Sequence, residues 1–303
     1  MIETSGTPGK VQPVSGRPQG GGALNALREE FWLWAKSGTR QWQLTKWVER
    51  LGIIPEAGRY RYWLVDRPNY AYGVHRAAQS ARRLGFQRVT VVEFGVAGGN
   101  GLLALERHAR YLGDHYGVQV DVVGFDSGEG MAQAHDYRDQ PFRWGAGFYR
   151  MDEAALRARI TNAELVMGDV KTSAGAWVAA NRDRLQESPI GFISFDLDYW
   201  SSTMSAFELF RYEDVSHLLP RIVCWMDDII YSIESIGELQ AISEFNAEEP
   251  GARAIGQVVG LRAGLPFDPP WAEQIFETHL FNHPRYNDLI EDAPEQLPLE
   301  SSE

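Results

Sequence analysis

Four aspartates follow two apolar runs between residues 190 and 228. The run IGFISF is followed by Asp196 and Asp198, and the run RIVCWM is followed by Asp227 and Asp228. Both runs predict buried strands, and in an open parallel α/β sheet the ligand site lies outside the carboxyl ends of the strands. A single Asp there is often only a helix cap. Two doubled acids separated by one β-α-β crossover favour a shared metal or catalytic site.

A glycine-rich turn follows the first predicted strand, in the segment VEFGVAGGNGLLAL. Glycines let a backbone approach a ligand closely, and a helix N-terminus presents free N–H groups. The spacing of Gly99, Gly101 and Ala104 satisfies G-x-G-x-x-A, so a dinucleotide stays open, as does a tight turn without a ligand. However, Glu93 stands directly before Phe94-Gly95, where an acid would repel a pyrophosphate and suit an ammonium group. This favours S-adenosylmethionine.

Two further acids end the second and third predicted strands. Asp126, in GFDSGEG, is placed to accept hydrogen bonds from a ribose, with Ser127 beside it as a further cofactor contact. Asp169, in MGDVKTS, has two interpretations of equal weight. It either meets the adenine amino group, with Val170 packed on the ring, or it caps the following helix.

In order and spacing, the segments EFGVAGG, GFDSGEG, GDV, FDLDYWSSTMSA, MDD and AISEF resemble the macrocin O-methyltransferase family. Members are class I S-adenosylmethionine-dependent, usually magnesium-dependent enzymes that methylate sugar hydroxyls of natural products. The resemblance spans about Val91 to Asn246. Its most specific parts are the D-x-D motif followed by S-T and the later D-D pair, whereas the glycine turn is generic.

The resemblance implies roles for individual residues. Asp196, Asp227 and Asp228 would hold the metal, and Asp198 would be the base or a further ligand. The implied cofactor positions are Glu93, Gly95, Val96, Gly98, Gly99, Asp126, Ser127, Asp169 and Val170. The sequence departs from the family at Gly128, Leu197, Trp200 and Ser201, so the identity of the substrate does not transfer with the resemblance.

These residue types suit metal-assisted methyl transfer to a hydroxyl group. A hard divalent cation on carboxylates can lower the pKa of an acceptor hydroxyl, and oxygen ligands suit Mg²⁺ better than zinc. Asp196 would act through the metal, and Asp198 would take the proton. His135, in the loop MAQAHDYRDQPF, is the other candidate base, although a lone loop histidine is more often simply solvated.

Composition limits the partners. The net charge of −12 opposes nucleic acid, whose binding is driven by Lys and Arg clusters. No apolar run approaches the roughly 20 residues of a membrane span, and residues 1–22 lack a signal-peptide pattern, which predicts a cytoplasmic protein without a membrane partner. Cys224 is the only cysteine, which excludes an intrachain disulfide and predicts a buried thiol.

The elements that position these residues alternate as β-α-β-α. They predict a doubly wound, mostly parallel Rossmann-like class I methyltransferase sheet with an antiparallel edge strand and an N-terminal helical extension. We expect a disordered tail over residues 1–22, a helical and aromatic cover over 23–84, the methyltransferase domain over 85–288 and a flexible acidic tail over 289–303. Within the cover, the pattern predicts a loop over 52–72 and a helix over Gly73 to Leu84.

The function predicted from sequence is a magnesium-assisted, S-adenosylmethionine-dependent O-methyltransferase acting on a small hydroxylated molecule, such as a sugar of a natural product. One alternative is a nicotinamide-dependent oxidoreductase that uses Gly99, Gly101 and Ala104. A second is a binding protein that holds S-adenosylmethionine without turnover. A homo-oligomer is left open.

Overall fold

A computed structural model describes residues 40–288 except 53, 230 and 231. The two predicted tails, 1–22 and 289–303, and the first part of the cover, 23–39, lie outside the described residues. Among the described residues, no helix is long and apolar enough to cross a membrane.

The described elements alternate as predicted from residue 88 onward. In chain order the helices are α1 (Arg40–Leu51), α2 (Glu56–Arg61), α3 (Pro68–Arg83), α4 (Asn100–Tyr116), α5 (Glu153–Arg157), α6 (Val170–Ala180), α7 (Arg182–Glu187), α8 (Trp200–Ala206), α9 (Gly237–Glu248) and α10 (Leu261–Gly264). The strands are β1 (Arg88–Phe94), β2 (Gln119–Asp126), β3 (Glu164–Met167), β4 (Ile190–Phe195), β5 (Leu218–Met226), β6 (Arg253–Gln257) and β7 (Ile275–Leu280). Short 3₁₀ turns lie at Tyr137–Asp139, Phe207–Phe210, Asp227–Ile229 and Pro270–Gln274.

The seven strands form one sheet in the order β3-β2-β1-β4-β5-β7-β6. Strands β1 to β5 pair in parallel, while β7 runs antiparallel to both β5 and β6. The predicted fold class, a mostly parallel Rossmann-like sheet with an antiparallel edge, is therefore confirmed. The strand order reverses between β1 and β4, and ligands bind at such a switch point in open α/β sheets.

Strand β4 shows how the two faces of the sheet are covered. Its six residues are all buried, as expected for a central parallel strand. On one face, Phe192 packs so closely against α3 that a Cβ on Gly73 would lie 2.2 Å from its ring. On the other face, Phe195 stacks on Phe94 and contacts Phe207 of the 3₁₀ turn after α8. The core thus lies on both sides of the sheet.

The N-terminal section differs from the sequence prediction. The segment predicted as a loop over 52–72 contains α2, and the predicted helix begins at Pro68 rather than Gly73. Proline at the first helical position was the available signal, because its fixed φ suits a helix start. Helix α3 packs on β1, β4 and β5, and nine of its residues are buried.

Strands β6 and β7 form the predicted antiparallel edge. The two strands pair with each other, and β7 joins them to the rest of the sheet by pairing with β5. Cys224 of β5 is fully buried, as predicted, with its Sγ 3.3 Å from Oγ1 of Thr278 on β7.

Candidate active site

The carboxyl ends of β1 and β4 meet through one glycine. The N–H of Asp196 donates to the carbonyl of Phe94 at 3.0 Å. Gly95 adopts φ +84°, and a Cβ there would lie 1.8 Å from the carbonyl oxygen of Asp196. No other residue type fits so close an approach. The glycine turn and the first pair of acids therefore share one edge of the sheet.

The structure brings together the four aspartates predicted from the two strand ends. Asp196, Asp227 and Asp228 each offer an oxygen within 4.8 Å of the others. Asp198 is 8% exposed and adopts a left-handed backbone conformation with φ +58°. It lines the same cavity as the other three acids, and its carboxyl group lies close enough to Asp228 to affect the pKa of that residue.

Burial and mutual repulsion make these acids hold protons more tightly than usual. Burial, followed by the charge of Asp228, raises the pKa of Asp198 to about 8 and that of Asp227 to about 6. Burial and the charge of Asp227 raise the pKa of Asp196 well above its ordinary value. A divalent cation would reverse this, because an opposite charge nearby favours the ionised form.

Two residues that the sequence analysis did not single out support the second pair of acids. Glu238, in the first turn of α9, is 1% exposed; its Oε2 accepts the N–H of Asp228 at 3.1 Å, while its Oε1 has no partner. Gln274 donates to the carbonyl of Asp227 at 2.7 Å. An acid at a helix start is ordinarily exposed, so no local pattern marked Glu238 as part of this site.

Beneath the glycine turn, Glu93 is buried in an arrangement that the sequence did not reveal. Its Oε1 accepts the Tyr70 hydroxyl at 2.7 Å, and that hydroxyl accepts from Ser194 at 2.9 Å. Oε2 has no partner, and burial raises the pKa of Glu93 to about 7. A Cβ on Gly101 would lie 1.8 Å from Oε1 of Glu93. The glycine at 101 is thus required by Glu93, without a pyrophosphate.

The predicted cofactor residues divide into those that line a cavity and those that support it. A cavity of about 570 Å³ is lined by Gly95, Asp126, Ser127, Asp169 and Val170 together with all four aspartates. The predicted positions Glu93, Val96, Gly98 and Gly99 are absent from its lining. Val96 packs toward Gly124, and Gly99 against Leu156 of α5, where Cβ atoms would lie within 3 Å.

The two acids expected at ribose and adenine already hold backbone groups. Asp126 accepts the N–H of Ala97 at 2.8 Å and that of Gly128 at 2.7 Å, one on each oxygen. Asp169 caps α6 by accepting the N–H of Lys171 at 2.9 Å. A carboxylate has about four lone-pair sites, so both acids retain capacity for a ligand in the cavity.

A loop between β2 and α5, residues 127–151, covers one side of the cavity and is fastened to α8 and α9. Buried Asp139 accepts both the N–H and the hydroxyl of Ser201 at 2.8 Å. Arg138 lies 3.3 Å from the centre of the Trp200 ring and pairs with Glu244 at 2.9 Å. The two departures from the family at residues 200 and 201 thus serve as anchors for this loop.

His135 belongs to the same loop but is not brought to the acids. Its side chain is 70% exposed, its Nδ1 lies 3.4 Å from Asp136, and it is absent from the cavity lining. Instead, the loop contributes Met131, Trp144 and Tyr149 to the lining. None of these three was selected from the sequence, because isolated apolar and aromatic residues in a loop have no spacing that marks a site.

Comparisons with known proteins give similarities at the level of three-dimensional structure. No protein-family model matches the chain, and no curated protein matches it. Among solved structures, the calicheamicin methyltransferase CalS11 is similar over 90% of this chain and 99% of its own, at 16% identity and a TM-score of 0.46. The MycE methyltransferase of the mycinamycin biosynthetic pathway, in complex with Mg and SAH, is similar over 74% of this chain and 52% of its own, at 14% identity and a TM-score of 0.37.

A further similarity is to the plantazolicin methyltransferase BpumL in complex with SAH. It covers 78% of this chain and 97% of that one, at 12% identity and a TM-score of 0.35. These identities and TM-scores are too low to assign a function to this chain. The basis for a function is therefore the chemistry of the site itself.

Proposed function

We propose that the chain is an S-adenosylmethionine-dependent O-methyltransferase, assisted by Mg²⁺, that acts on a hydroxyl group of a small molecule. The observation that carries the proposal is the convergence of Asp196, Asp227 and Asp228 beside a glycine turn in one cavity. Buried carboxylates without countercharge are costly unless they are paired or coordinate metal.

The donor set fits a hard cation. Three carboxylates converge within 4.8 Å, and the Oδ2 of Asp228 is buried without a partner. Oxygen donors are the ligands that Mg²⁺ prefers, and it keeps several waters when few carboxylates hold it. Asp196, Asp227 and Asp228 would hold the ion, which would supply positive charge to lower the pKa of the acceptor hydroxyl.

The glycine turn and its surroundings fit S-adenosylmethionine, which would supply the methyl group. Glu93 lies beneath the glycine turn rather than in the cavity lining, and its buried Oε2 has no partner among the described residues, so it would attract the ammonium group of an amino-acid moiety toward the turn. Four further cofactor residues line the cavity. Asp126 and Ser127 would bind the ribose, and Asp169 and Val170 would bind the adenine. This assignment keeps the anionic Glu93 away from any phosphate group.

Asp198 is the proposed base. It lines the cavity beside the three proposed metal ligands. A nearby divalent cation would favour the ionised form of Asp198, which can accept a proton from a hydroxyl group. Methyl transfer is a displacement that depends mainly on positioning. Asp198 would therefore orient the acceptor hydroxyl and take its proton as the oxygen attacks the methyl carbon.

The oxidoreductase alternative has less support. It rests on Gly99 and Gly101, and both glycines are explained by packing against Leu156 and Glu93. In addition, the buried Glu93 would oppose a pyrophosphate at this turn.

The test of the proposal has a binding arm and a turnover arm. Calorimetry of the full chain with S-adenosylhomocysteine should show one site, and NAD should give no heat. Methyl transfer from radiolabelled S-adenosylmethionine to hydroxylated acceptors should require Mg²⁺ and stop in excess EDTA. Absence of S-adenosylhomocysteine binding would remove the enzyme assignment, and full turnover in EDTA would remove the metal alone.

A further inference from the structure

The acceptor side of the cavity has a different character from the cofactor side. Met131, Trp144 and Tyr149 of the loop 127–151 face this region together with Tyr199 and Ser202. The rings of Trp144 and Tyr149 lie 6.0 Å apart between centres at an angle of 62°. They form a corner that could receive the apolar face of a small ring, since aromatic faces attract C–H groups and cations.

Two hydrogen-bond donors on this side lack partners. The hydroxyl of Tyr199 and the Nε1 of Trp144 are both buried and have no hydrogen-bond partner among the residues that the structure describes. Tyr199 is only 1% exposed, and a buried donor without a partner has lost its hydrogen bond to water without a replacement. A ligand with hydroxyl oxygens would satisfy both donors. This indicates a polar, hydroxylated ring rather than a purely apolar one.

The charge of the cavity lining is one-sided. Every charged residue that lines the cavity is an Asp or a Glu, and the lining contains no Lys, Arg or His. The acids are Asp126, Glu129, Asp169, Asp196, Asp198, Asp227 and Asp228. Two cations lie outside the lining but act on these acids: Arg143 of the loop 127–151, whose guanidinium lies 4.8 Å from the centre of the Trp144 ring, and Arg67. Even with a divalent ion and the cofactor bound, acids would outnumber positive charges here.

From this lining we infer that the acceptor is a hydroxylated ring that carries an amine, and that phosphate-bearing acceptors such as nucleotide-linked sugars are rejected. The inference rests on the proposed function and narrows its substrate class. The aromatic corner and the carboxylates would favour a cationic amine. A diphosphate would meet the same carboxylates, with no arginine or lysine among the described residues that line the cavity.

The test is a matched series of ligands added to the full chain saturated with S-adenosylhomocysteine and Mg²⁺. Methyl glucosaminide, methyl glucoside and uridine-diphosphoglucose are titrated by calorimetry. We expect the amine to bind about tenfold more tightly than the neutral glycoside, and uridine-diphosphoglucose to give no binding. Equal or tighter binding of uridine-diphosphoglucose would overturn the inference, as would absence of binding by all three ligands.

Variants separate the contributions of charge and ring. Glu129→Gln should reduce the preference for the amine over the neutral glycoside several-fold, whereas Glu187→Gln, on α7 at the other end of the sheet, should not change it. Trp144→Phe keeps the ring and loses the donor, so it should weaken both glycosides less than Trp144→Ala does. Loss of a measured uridine-diphosphoglucose affinity in Arg143→Gln would instead assign a phosphate site.

The S-adenosylhomocysteine step distinguishes the two levels of failure. If the chain does not bind S-adenosylhomocysteine, the proposed function fails before any acceptor is added. If it binds S-adenosylhomocysteine but prefers the phosphate-bearing ligand, only the substrate class is wrong.

Discussion

Partly buried acids lie in opposite environments at the two ends of the sheet. At the amino end, Asp121 of β2 pairs with Arg88 through two contacts of 2.9 Å and accepts Ser188 at 2.9 Å. At the carboxyl end, Asp196, Asp227 and Asp228 have no such cationic partner among their described hydrogen bonds and ion pairs. The same residue type is neutralised at one end and left to repel its neighbours at the other.

Cavity size alone would point to the wrong end. The amino end carries the larger cavity, about 860 Å³, lined in part by Glu106, Asp121 and Arg184. However, its charges are already used: Glu106 accepts three backbone N–H groups, and Arg184 pairs with Glu164 at 2.8 Å. Unsatisfied charge, rather than volume, distinguishes a site that awaits a ligand from a groove on the surface.

The largest difference between the two ends should appear in turnover. Asp227→Asn removes a proposed metal ligand, and we expect methyl transfer to fall by at least a hundredfold, or about 2.7 kcal/mol in the barrier. Affinity for S-adenosylhomocysteine should remain within a few-fold of the original. Initial rates with radiolabelled cofactor and calorimetry measure the two quantities.

Asp121→Asn is the matched control for this change. It alters the same residue type at the amino end and should leave the turnover of the folded protein unchanged. An equal loss of turnover in both variants would mean that Asp227 acts on stability rather than on the reaction.

The sequence predicted the parts of this asymmetry that are marked by a pattern within one segment of the chain, and it missed the parts that depend on contacts between distant segments. Apolar runs ending in paired acids marked Asp196 to Asp228, since strand ends of a parallel sheet converge. The partners of Glu93 gave no such signal. Tyr70 lies at a helix start inside the predicted loop, and Ser194, which donates to the Tyr70 hydroxyl, lies 124 residues later on β4. Contacts between distant segments depend on how α3 packs against the sheet, which no periodicity reveals.

The loop 127–151 was unpredictable for a related reason. Its anchors join Asp139 to Ser201 and Arg138 to Glu244, pairs separated by one or more whole elements. Its place in the loop after the second predicted strand made His135 a candidate base, yet the loop contributes Met131, Trp144 and Tyr149 to the cavity lining instead. Short polar motifs in loops therefore say little until their anchors are known.

A second prediction concerns pH and the buried Glu93. The pKa of Glu93 is about 7 in the folded chain, above the ordinary value of 4.5. Between pH 4.5 and pH 7 the native state therefore holds a proton that the unfolded state has lost. The stability associated with that proton is present below pH 4.5 and is lost as pH rises through 7. In the cofactor-free protein, the free energy of unfolding should therefore fall with pH relative to Glu93→Gln, by up to about 3 kcal/mol.

Urea unfolding from pH 5 to pH 8 measures this difference. The comparison with Glu93→Gln cancels the titration of the other acids, which both proteins share. A constant difference across this range would show that Glu93 titrates in the folded chain as it does in the unfolded chain, and that its burial does not raise its pKa.

The smallest expected effect is on the free energy of unfolding, which equivalent substitutions at the two ends of the sheet should change in opposite directions. In EDTA, Asp228→Asn should raise the free energy of unfolding by about 1 kcal/mol, because it removes one buried charge from a repelling group. Asp121→Asn should lower it by about 1–2 kcal/mol, because it leaves Arg88 without its ionic partner. Adding Mg²⁺ should then stabilise the original chain more than Asp228→Asn, since binding to the native state adds stability by mass action. Destabilisation by both substitutions in EDTA would mean that the acids at the carboxyl end are already satisfied, and the argument for a cation there would fail with it.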